Sequence, residues 1–279
     1  MTLASALKEA KNTLSKTTIK NFAYEAEELL AFVLKTDRPY ILAHPEIDLK
    51  KREARKYFNL INKRQRYYPF AYLTNEQYFY GLPFFVDKRV LVPRPETEIM
   101  VDEILNIIKQ NKEPITLIDL GTGSGCIPIS VQKNINTKCD IIAIDKSRKA
   151  LQVAKINNKK LKTNISFKRG NLLEPLKNLN EGLVIMSANL PYLDSTCSYN
   201  QELHYEPKIA LNGGPDGLAL YRSLAKQLER FSNKKIILLV EGFGSQFSLL
   251  KNIFSKAKKI EIKKDLSGQD RIAIFYFNN

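Results

Sequence analysis

Apolar residues in the first quarter of the chain recur every three or four positions, the period of an α-helix with one buried face. Three helices are predicted there, and the third covers residues 48–66. The apolar positions expected to face inward are Leu3, Leu7, Ala10 and Leu14 in the first, Phe22, Ala26, Leu29, Leu30, Phe32 and Val33 in the second, and Ala54, Tyr57, Phe58 and Ile61 in the third. We therefore expect residues 1–74 to form a small helical bundle, either a docking domain for a macromolecular substrate or a stabilising cap.

The pattern changes after residue 74. Aromatic and β-branched residues become dense between Gln77 and Val92, which predicts a β-hairpin linker over residues 75–92. Residues 93–98, Pro-Arg-Pro-Glu-Thr-Glu, then predict the start of a helix that runs to about Lys109, because proline suits the first helical turn and acidic residues suit its positive end. The two prolines also make this loop stiff.

Beyond Pro114, apolar runs of strand length alternate with helical patterns. Strands are predicted at residues 115–120, 141–145, 165–167, 183–188, 236–240, 260–264 and 271–277. Such alternation predicts a mostly parallel sheet with helices on both faces, and the last two strands read as an antiparallel pair. Residues 93–279 are therefore expected to form one Rossmann-like α/β domain.

Composition narrows the class of protein. The 279 residues are 44% hydrophobic and 26% charged, as in ordinary globular proteins. The longest apolar runs are too short to span a bilayer, and the N-terminus lacks a secretory pattern, so a cytoplasmic protein is expected. Cys126, Cys139 and Cys197 are odd in number and widely spaced, which predicts neither disulfides nor a metal site.

The charge balance is strongly basic. Lysine and arginine number 44 against 29 acidic residues, for a formal net charge of +15. This excess favours contact with an acidic partner such as nucleic acid or a ribosome-associated protein. A lysine-rich composition spread over helix faces would give the same number, so the charge alone selects neither interpretation.

A glycine-rich loop follows the predicted strand 115–120. Its candidate ligand-binding residues are Gly121, Thr122, Gly123, Ser124 and Gly125. Glycines let backbone amides approach a ligand closely, and the N-terminus of the next helix favours a carboxylate or a phosphate. The next strand ends in Asp145, whose carboxylate can accept both hydroxyls of a ribose. Together these features predict a cofactor that contains adenosine.

A second segment, Asn189-Leu190-Pro191-Tyr192, follows the predicted strand 183–188. An amide or aromatic amine nitrogen has its lone pair delocalised into a π-system, so acceptors must hold and polarise it before it attacks an electrophilic methyl group. The asparagine side-chain oxygen and a neighbouring backbone carbonyl can be those acceptors, and the tyrosine ring can pack on a flat substrate. The segment predicts methylation of a planar nitrogen.

Two cofactors fit the glycine-rich loop, a nicotinamide dinucleotide and S-adenosyl-L-methionine. The spacing is G-x-G-x-G instead of G-x-G-x-x-G, which displaces the third glycine expected for a dinucleotide. Together with the segment at 189–192, this favours S-adenosyl-L-methionine. Asn171 and Leu172 follow the third strand, where they can hold the adenine edge and cover its face or serve only as loop residues. Cys126 is expected to be a packing residue and not a nucleophile.

In this order, the helical N-terminal part, residues 93–98, Gly121 to Gly125, Asp145 and Asn189 to Tyr192 resemble the HemK/PrmC family, the release-factor glutamine methyltransferases. The likeness spans nearly the whole chain and includes residues 205–222 after the 189–192 segment. It implies a class I methyltransferase fold and transfer of a methyl group from S-adenosyl-L-methionine to the glutamine amide of the Gly-Gly-Gln motif in peptide chain release factors.

The resemblance also implies roles for residues. Gly121 to Gly125 would line the methionine moiety and Asp145 would hold the ribose. The Asn189 side-chain oxygen and the Leu190 carbonyl would accept the two amide protons, with Pro191 and Tyr192 shaping the slot. Leu190 stands where the family usually has proline, but a main-chain carbonyl does not depend on the side chain, so activity is expected. Asn171 replaces a common acidic residue, and Thr74-Asn75 lie where glycine is frequent.

Other interpretations stay open at this point. Asn-Leu-Pro-Tyr also occurs in ribosomal-RNA adenine dimethyltransferases, and Asn-Pro-Pro-Tyr in DNA adenine methyltransferases, which act on an exocyclic amine. The rRNA enzymes carry their extra helical domain after the catalytic domain, whereas this chain has it before. Methylation of a glutamine in another protein also stays open, as does a cofactor-binding or ribosome-associated adaptor without activity. We expect the protein to be a monomer, to take peptide chain release factors as its substrate, and not to associate with a membrane.

Overall fold

A computed structural model describes residues 1–194 and 201–278. Their contacts group them into two compact units. The first unit contains Met1–Glu76 together with residues 201–205, and the second contains the other described residues from Gln77 onward. The assignment of separate roles to residues 1–74, 75–92 and 93–279 stays a prediction. Cys197 lies outside the described residues.

The first unit is helical. Its helices are α1 (Leu3–Leu14), α2 (Phe22–Leu34), α3 (Arg38–Ala43), α4 (Lys51–Gln65) and α5 (Phe70–Thr74). The three longest match the predicted helices, and α1 begins where the Thr2 hydroxyl accepts a hydrogen bond from the Ser5 N–H at 3.2 Å. Helices α3 and α5 were not predicted, because five or six residues are too few to show a helical period.

One residue of α2 is placed differently from the prediction. Phe32 is 37% exposed, whereas Leu29, Leu30 and Val33 are buried. Each residue of an α-helix turns the chain by about 100°, so a position two residues after Leu30 lies on the opposite side. The inward orientation predicted for Phe32 was therefore wrong, and its ring instead lies under the Lys56 ammonium at 5.2 Å.

A buried arginine ties residues 201–205 into the first unit. The side chain of Arg64 is 3% exposed and forms ion pairs with Glu25 and, at 2.7 Å, with Glu202. The Tyr205 hydroxyl donates a hydrogen bond to the Arg66 carbonyl at 2.9 Å. This unit is therefore completed by a segment distant in sequence.

The predicted hairpin is present but shorter than expected. Strands β1 (Glu76–Phe79) and β2 (Leu82–Phe85) form a two-stranded sheet. Val86, Val90 and Val92 are buried outside any strand. Their β-branched side chains serve packing there, so the strand pattern predicted up to Val92 was wrong beyond Phe85.

The second unit is built on a seven-stranded sheet. Its strands are β3 (Ile115–Leu120), β4 (Cys139–Asp145), β5 (Ser166–Arg169), β6 (Leu183–Ala188), β7 (Lys235–Glu241), β8 (Lys259–Lys264) and β9 (Asp270–Phe277). They lie in the order β5-β4-β3-β6-β7-β9-β8. Neighbours from β5 to β7 are parallel, and β9 is antiparallel to both β7 and β8. The predicted mostly parallel sheet with a terminal antiparallel pair is confirmed.

Helices cover both faces of this sheet. They are α6 (Glu98–Gln110), α7 (Cys126–Asn134), α8 (Arg148–Lys160), α9 (Ala219–Leu228) and α10 (Gln246–Ile253). Alternate residues of β3 enter different cores: Ile118 and Leu120 pack with α9 and α10, and Ile115 and Leu117 pack with α6 and α7. Because both faces are buried, the central strands are continuous apolar runs. The chain order reverses between β3 and β6, the position where ligands bind in open α/β sheets.

Candidate active site

A cavity of about 580 Å3 lies at the carboxyl ends of β3, β4, β5 and β6. All of its walls come from the second unit. Ten of the twelve predicted site residues line it: Gly121, Thr122, Gly123, Ser124, Asp145, Asn171, Leu172, Asn189, Leu190 and Pro191. Gly125 and Tyr192 do not line it. The structure therefore gathers residues from four loops that are far apart in sequence.

The glycine-rich loop is held against β4 and against the 189–192 segment. The N–H groups of Gly121 and Thr122 both donate to the Ile144 carbonyl, at 2.9 and 3.0 Å. Gly121 has a φ of +74°, and a Cβ there would lie 3.0 Å from the Leu190 side chain. Glycine is thus favoured by the backbone conformation, and a larger residue would in addition crowd the Leu190 side chain.

Asp145 fixes the same loop from the end of β4. Its Oδ2 accepts the Gly123 N–H at 2.9 Å, and its Oδ1 accepts the Ser147 N–H at 2.7 Å. Each oxygen keeps a further lone pair for a ligand hydroxyl. Burial raises the pKa of the Asp145 carboxyl, and these two N–H donors act against the rise. The residue can therefore position the loop and accept hydroxyl groups at once.

The loop after β5 supplies Asn171 and Leu172. The Asn171 side-chain nitrogen donates to Glu174 Oε1 at 3.1 Å, so part of its donor capacity is used within the loop. Leu172 is buried and has a φ of +56°. A left-handed conformation is unfavourable for a leucine and persists where the surroundings enforce it, often at a ligand site.

Two buried polar atoms, in Asp119 and Thr122, lie beneath the cavity and bear on the kind of ligand that it can hold. Asp119 Oδ1 accepts a hydrogen bond from Ser187 at 2.7 Å. Asp119 Oδ2 and Thr122 Oγ1 are buried and make no hydrogen bond of ordinary geometry among the described residues, although the Thr122 hydroxyl lies near enough to the Asp119 carboxyl to lower its pKa. Burial raises the pKa of Asp119 to about 6. Unsatisfied buried polar atoms are costly, so this floor fits a cofactor that brings its own hydrogen-bonding groups.

Side chains from other elements hold the 189–192 segment. The Asn189 side-chain nitrogen donates to the Thr97 hydroxyl at 3.0 Å. The Leu190 N–H donates to the Tyr221 hydroxyl at 3.3 Å, and that hydroxyl donates to the Glu241 carbonyl at 2.7 Å. These bonds fix the segment without using the Asn189 oxygen.

Tyr192 turns away from the cavity. Its hydroxyl donates to Glu241 Oε1 at 3.3 Å. Its carbonyl accepts from the Gln246 side chain at 2.8 Å, and a Cβ at Gly217 would lie 2.1 Å from the same carbonyl oxygen. Only glycine leaves room for this contact at position 217, so the stretch after the 189–192 segment packs directly on it.

Glu241 and Thr97 are functional candidates that the sequence analysis did not select. Thr97 was assigned only to a helix start, and Glu241 ends the apolar strand β7. Glu241 is 1% exposed, and burial raises its pKa to about 7, against the lowering effect of Thr97, Arg271 and Tyr192. A charged residue at the carboxyl end of a buried strand next to the switch point is the signal that could have identified it.

Neither cysteine in the described part of the chain is activated. Burial raises the pKa of the Cys126 thiol to about 12 and that of Cys139 to about 11. A thiol, and not a thiolate, is present at neutral pH.

The described residues contain no group of three or more His, Cys, Asp or Glu that could hold a metal ion. Every helix in the described ranges is too short or too polar to cross a bilayer.

Two known domain families match this chain, one after the other. Residues 5–74 match the PrmC N-terminal domain, and residues 111–274 match a methyltransferase domain. Among solved structures, the hMettl16 catalytic domain in complex with the MAT2A 3'UTR hairpin 6 is similar to this chain with a TM-score of 0.56. That alignment has 12% identity and covers 84% of each chain. This likeness concerns the fold and supports the class I methyltransferase architecture.

Curated relatives cover nearly the full length. A release factor glutamine methyltransferase of Clostridium acetobutylicum is 31% identical over 281 residues and 98% of each chain. The protein of that name from Thermodesulfovibrio yellowstonii is 37% identical over 260 residues, 90% of this chain and 91% of the relative. The one from Buchnera aphidicola is 35% identical over 271 residues, 95% of this chain and 96% of the relative. With these identities over nearly its whole length, the chain belongs to the family of release factor glutamine methyltransferases.

Proposed function

We propose that this enzyme transfers a methyl group from S-adenosyl-L-methionine to the side-chain amide nitrogen of the glutamine in the Gly-Gly-Gln motif of peptide chain release factors. One observation carries the proposal beyond the names of the relatives. Asn189 is held through its side-chain nitrogen, 3.0 Å from Thr97 Oγ1, at the wall of the cavity. Its oxygen is thereby left to accept a hydrogen bond from a substrate NH2 group.

The cofactor would be held by the loops after β3, β4 and β5. Gly121 to Gly125 would take the methionine moiety, Asp145 the ribose hydroxyls, and Asn171 with Leu172 the adenine. When bound, S-adenosyl-L-methionine supplies an electrophilic methyl group on sulfur. The Asp119 carboxyl and the Thr122 hydroxyl support this placement, because they are buried polar groups next to the loop.

The protein contributes alignment. The Asn189 oxygen and the Leu190 carbonyl would accept the two amide hydrogens of the substrate glutamine and so orient its nitrogen. The Tyr221 hydroxyl leaves the Leu190 carbonyl available, because its oxygen is 2.7 Å from the Glu241 carbonyl and 3.5 Å from the Leu190 carbonyl. No strong base is needed, because the nitrogen releases its proton to water once it has become cationic. Catalysis then comes from position and electrostatics.

A release factor as substrate also suggests roles for the two domains and a location for the reaction. We assign substrate docking to the helical domain at residues 1–74, which the hairpin at 75–92 links to the catalytic domain at 93–279. We expect the enzyme to work as a monomer. A substrate that acts in translation places the reaction in the cytoplasm.

A transfer assay with labelled S-adenosyl-L-methionine tests the function. Label is expected on a release factor and not on its Gln-to-Ala loop variant. Purified ribosomal RNA and DNA serve as the other acceptors. Label on nucleic acid alone would replace the proposal with adenine methylation, the alternative that the Asn-Leu-Pro-Tyr segment also allows. Cofactor binding with no transfer to any acceptor would point to an adaptor.

Asn189→Ala tests the acceptor role within that assay. The substitution removes the oxygen proposed to orient the glutamine, so kcat is expected to fall by about 100-fold or more, as for loss of a preorganised polar contact. Asn106→Ala, at an exposed position of α6 away from the cavity, is the matched control and should keep the wild-type rate. Full turnover by Asn189→Ala would reject the mechanism while leaving the identity of the acceptor unaffected.

A further inference from the structure

The hydroxyl of Thr97 lies between two buried side chains. Its Oγ1 is 2.7 Å from Glu241 Oε2 and 3.0 Å from Asn189 Nδ2. Thr97 is 2% exposed and Glu241 is 1% exposed, so water does not readily replace either contact. A chain of two hydrogen bonds therefore connects the carboxyl group at the end of β7 to the asparagine at the end of β6.

The number of available hydrogens determines which group donates in each of these two hydrogen bonds. An ionised carboxylate only accepts hydrogen bonds, whereas a threonine hydroxyl has a single hydrogen to donate. With Glu241 ionised, the Thr97 hydrogen must point to Glu241, and Thr97 can then only accept from Asn189. The NH2 end of the Asn189 amide must face Thr97. The donor count therefore sets the orientation of the Asn189 amide whenever Glu241 is ionised.

Protonation of Glu241 allows the opposite direction. A neutral carboxyl can donate through Oε2 to Thr97, and the Thr97 hydrogen is then free to point at Asn189. That arrangement requires the Asn189 oxygen at Thr97 and turns the NH2 group toward the cavity. A donor would then face the NH2 group of the substrate glutamine, which needs an acceptor.

The surroundings of Glu241 leave both protonation states accessible. Two neutral hydroxyls, those of Thr97 and Tyr192, donate to its carboxyl group. The titratable and charged groups near it are Glu96, Cys126, Tyr192, Tyr221 and Arg271, and Arg94, which is paired with Glu206, acts on the neighbouring Tyr192. Arg271 favours the carboxylate but is itself paired with Asp265 at 2.9 Å, and Glu96 disfavours it.

We propose that Glu241, acting through the Thr97 hydroxyl, selects which end of the Asn189 amide faces the substrate, so that both are positioning residues for methyl transfer. This inference rests on the proposed function, because it is the glutamine NH2 that requires an acceptor. Glu241 also receives the Tyr192 hydroxyl, and its main-chain carbonyl receives that of Tyr221. A single residue of β7 therefore fixes the segment at three of its four positions.

A pH dependence follows from the direction of the bonds. Burial raises the pKa of Glu241 to about 7, so its carboxylate form prevails above neutral pH and its protonated form below. The rate of methyl transfer, kcat, is expected to fall as the pH drops through about 7, with a smaller effect on KM for the cofactor. If Glu241 only filled space in the core, kcat would not depend on pH in this range.

Kinetics of four variants test the proposal. Thr97→Val removes the connection and is expected to lower kcat about 100-fold, while Thr97→Ser keeps the hydroxyl and should restore most of the rate. Glu241→Gln, which can present either an oxygen or an NH2 group to Thr97, should lower kcat about tenfold at pH 8 and abolish the acid limb. Glu261→Gln, in β8, is the matched control with an unchanged profile.

A spectroscopic measurement separates this inference from the function itself. In protein carrying 15N-labelled asparagine, the side-chain signal of Asn189, identified by its loss in Asn189→Ala, should titrate with a midpoint near 7. The titration should vanish in both Glu241→Gln and Thr97→Val. A wild-type signal that does not titrate, or that still titrates in Thr97→Val, would overturn the inference. Failure of methyl transfer by the wild-type enzyme would instead reject the proposed function.

Discussion

Two buried glutamates, one in each unit, differ in what surrounds them. Glu27 in helix α2 is 5% exposed and pairs with Lys11 at 2.5 Å and with Arg38. Glu241 at the end of β7 is 1% exposed and receives only hydroxyl hydrogen bonds at its side chain among the described contacts, from Thr97 and Tyr192. Burial alone therefore does not decide how a carboxyl group behaves.

The two pKa values move in opposite directions. Burial would raise the pKa of Glu27, but hydrogen bonds from Lys11 and Arg38 bring it below its usual value. Burial raises the pKa of Glu241 to about 7, because hydroxyl donors compensate for it less fully than cations do. Cations thus hold Glu27 in its carboxylate form in the helical unit, whereas Glu241 can titrate near neutral pH beside the candidate active site.

The largest expected effect is on the pH dependence of stability. The pKa of Glu241 rises from its ordinary value of 4.5 to about 7 in the folded protein, so between these values the folded state binds more protons than the unfolded state. The free energy of unfolding then decreases as the pH rises. Glu241→Gln should remove this decrease, which amounts to as much as ~3 kcal/mol at about 1.4 kcal/mol per pKa unit.

Chemical denaturation at about pH 5 and about pH 8 measures this difference. The wild-type free energy of unfolding should change more between the two conditions than that of Glu241→Gln, with the variant gaining relative stability at the higher pH. Equal pH dependence in the two proteins would mean that Glu241 is compensated as fully as Glu27, and the two glutamates would no longer differ.

Glu27→Gln should have a smaller effect with the opposite pH dependence. Because its pKa is lowered in the folded protein, its carboxylate stabilises the fold above the unfolded-state pKa, and this contribution disappears as the pH falls through the folded-state value. We expect a loss of about 1 kcal/mol at neutral pH, since Lys11 and Arg38 are partly solvated. Equilibrium unfolding measures it, with the exposed Glu9→Gln as control.

That loss should leave kcat with saturating substrates unchanged, because Glu27 lies in the helical unit and not at the cavity. A drop in kcat of the same size as that of Glu241→Gln would contradict the distinction between a stabilising and a positioning glutamate.

The smallest effect is expected for Tyr192→Phe. It removes only the longer of the two hydroxyl bonds to Glu241, at 3.3 Å, and keeps the Thr97 bond at 2.7 Å. The rate above neutral pH should change by less than about threefold, as for loss of a weak hydrogen bond. With one donor fewer, the carboxylate is less favoured, so the midpoint of the acid limb should move to higher pH. A midpoint at lower pH would contradict the assignment.

Much of the fold could be predicted because its elements carry local signals. The buried central strands are continuous apolar runs, and 115–120 and 183–188 coincide with β3 and β6. Helices α3 and α5 escaped because they are shorter than two helical turns. The insertion of β9 between β7 and β8 was not predicted, since strand order depends on contacts that no local pattern encodes.

The residues of the candidate site that the sequence singled out form short motifs or, like Asp145, end a strand next to such a motif. The glycine-rich loop and the 189–192 segment were recognised because each is a short run with a chemical meaning. Thr97 and Glu241 were not, because they lie 92 and 52 residues from Asn189 along the chain (189 − 97 and 241 − 189) and meet it only in the folded sheet. The ring of Tyr192 was expected on the substrate, but its place toward Glu241 follows from that same tertiary contact.

The return of residues 201–205 to the helical unit has a consequence for dissecting the molecule. A cut after Glu76 would not release two intact pieces, because the shorter one would lose Glu202 as an ion-pair partner of Arg64 and Tyr205 as a donor to Arg66. The longer one would carry those side chains without their partners. Deletion studies of either half would therefore measure a damaged bundle, and point substitutions are the better way to ask what the helices do.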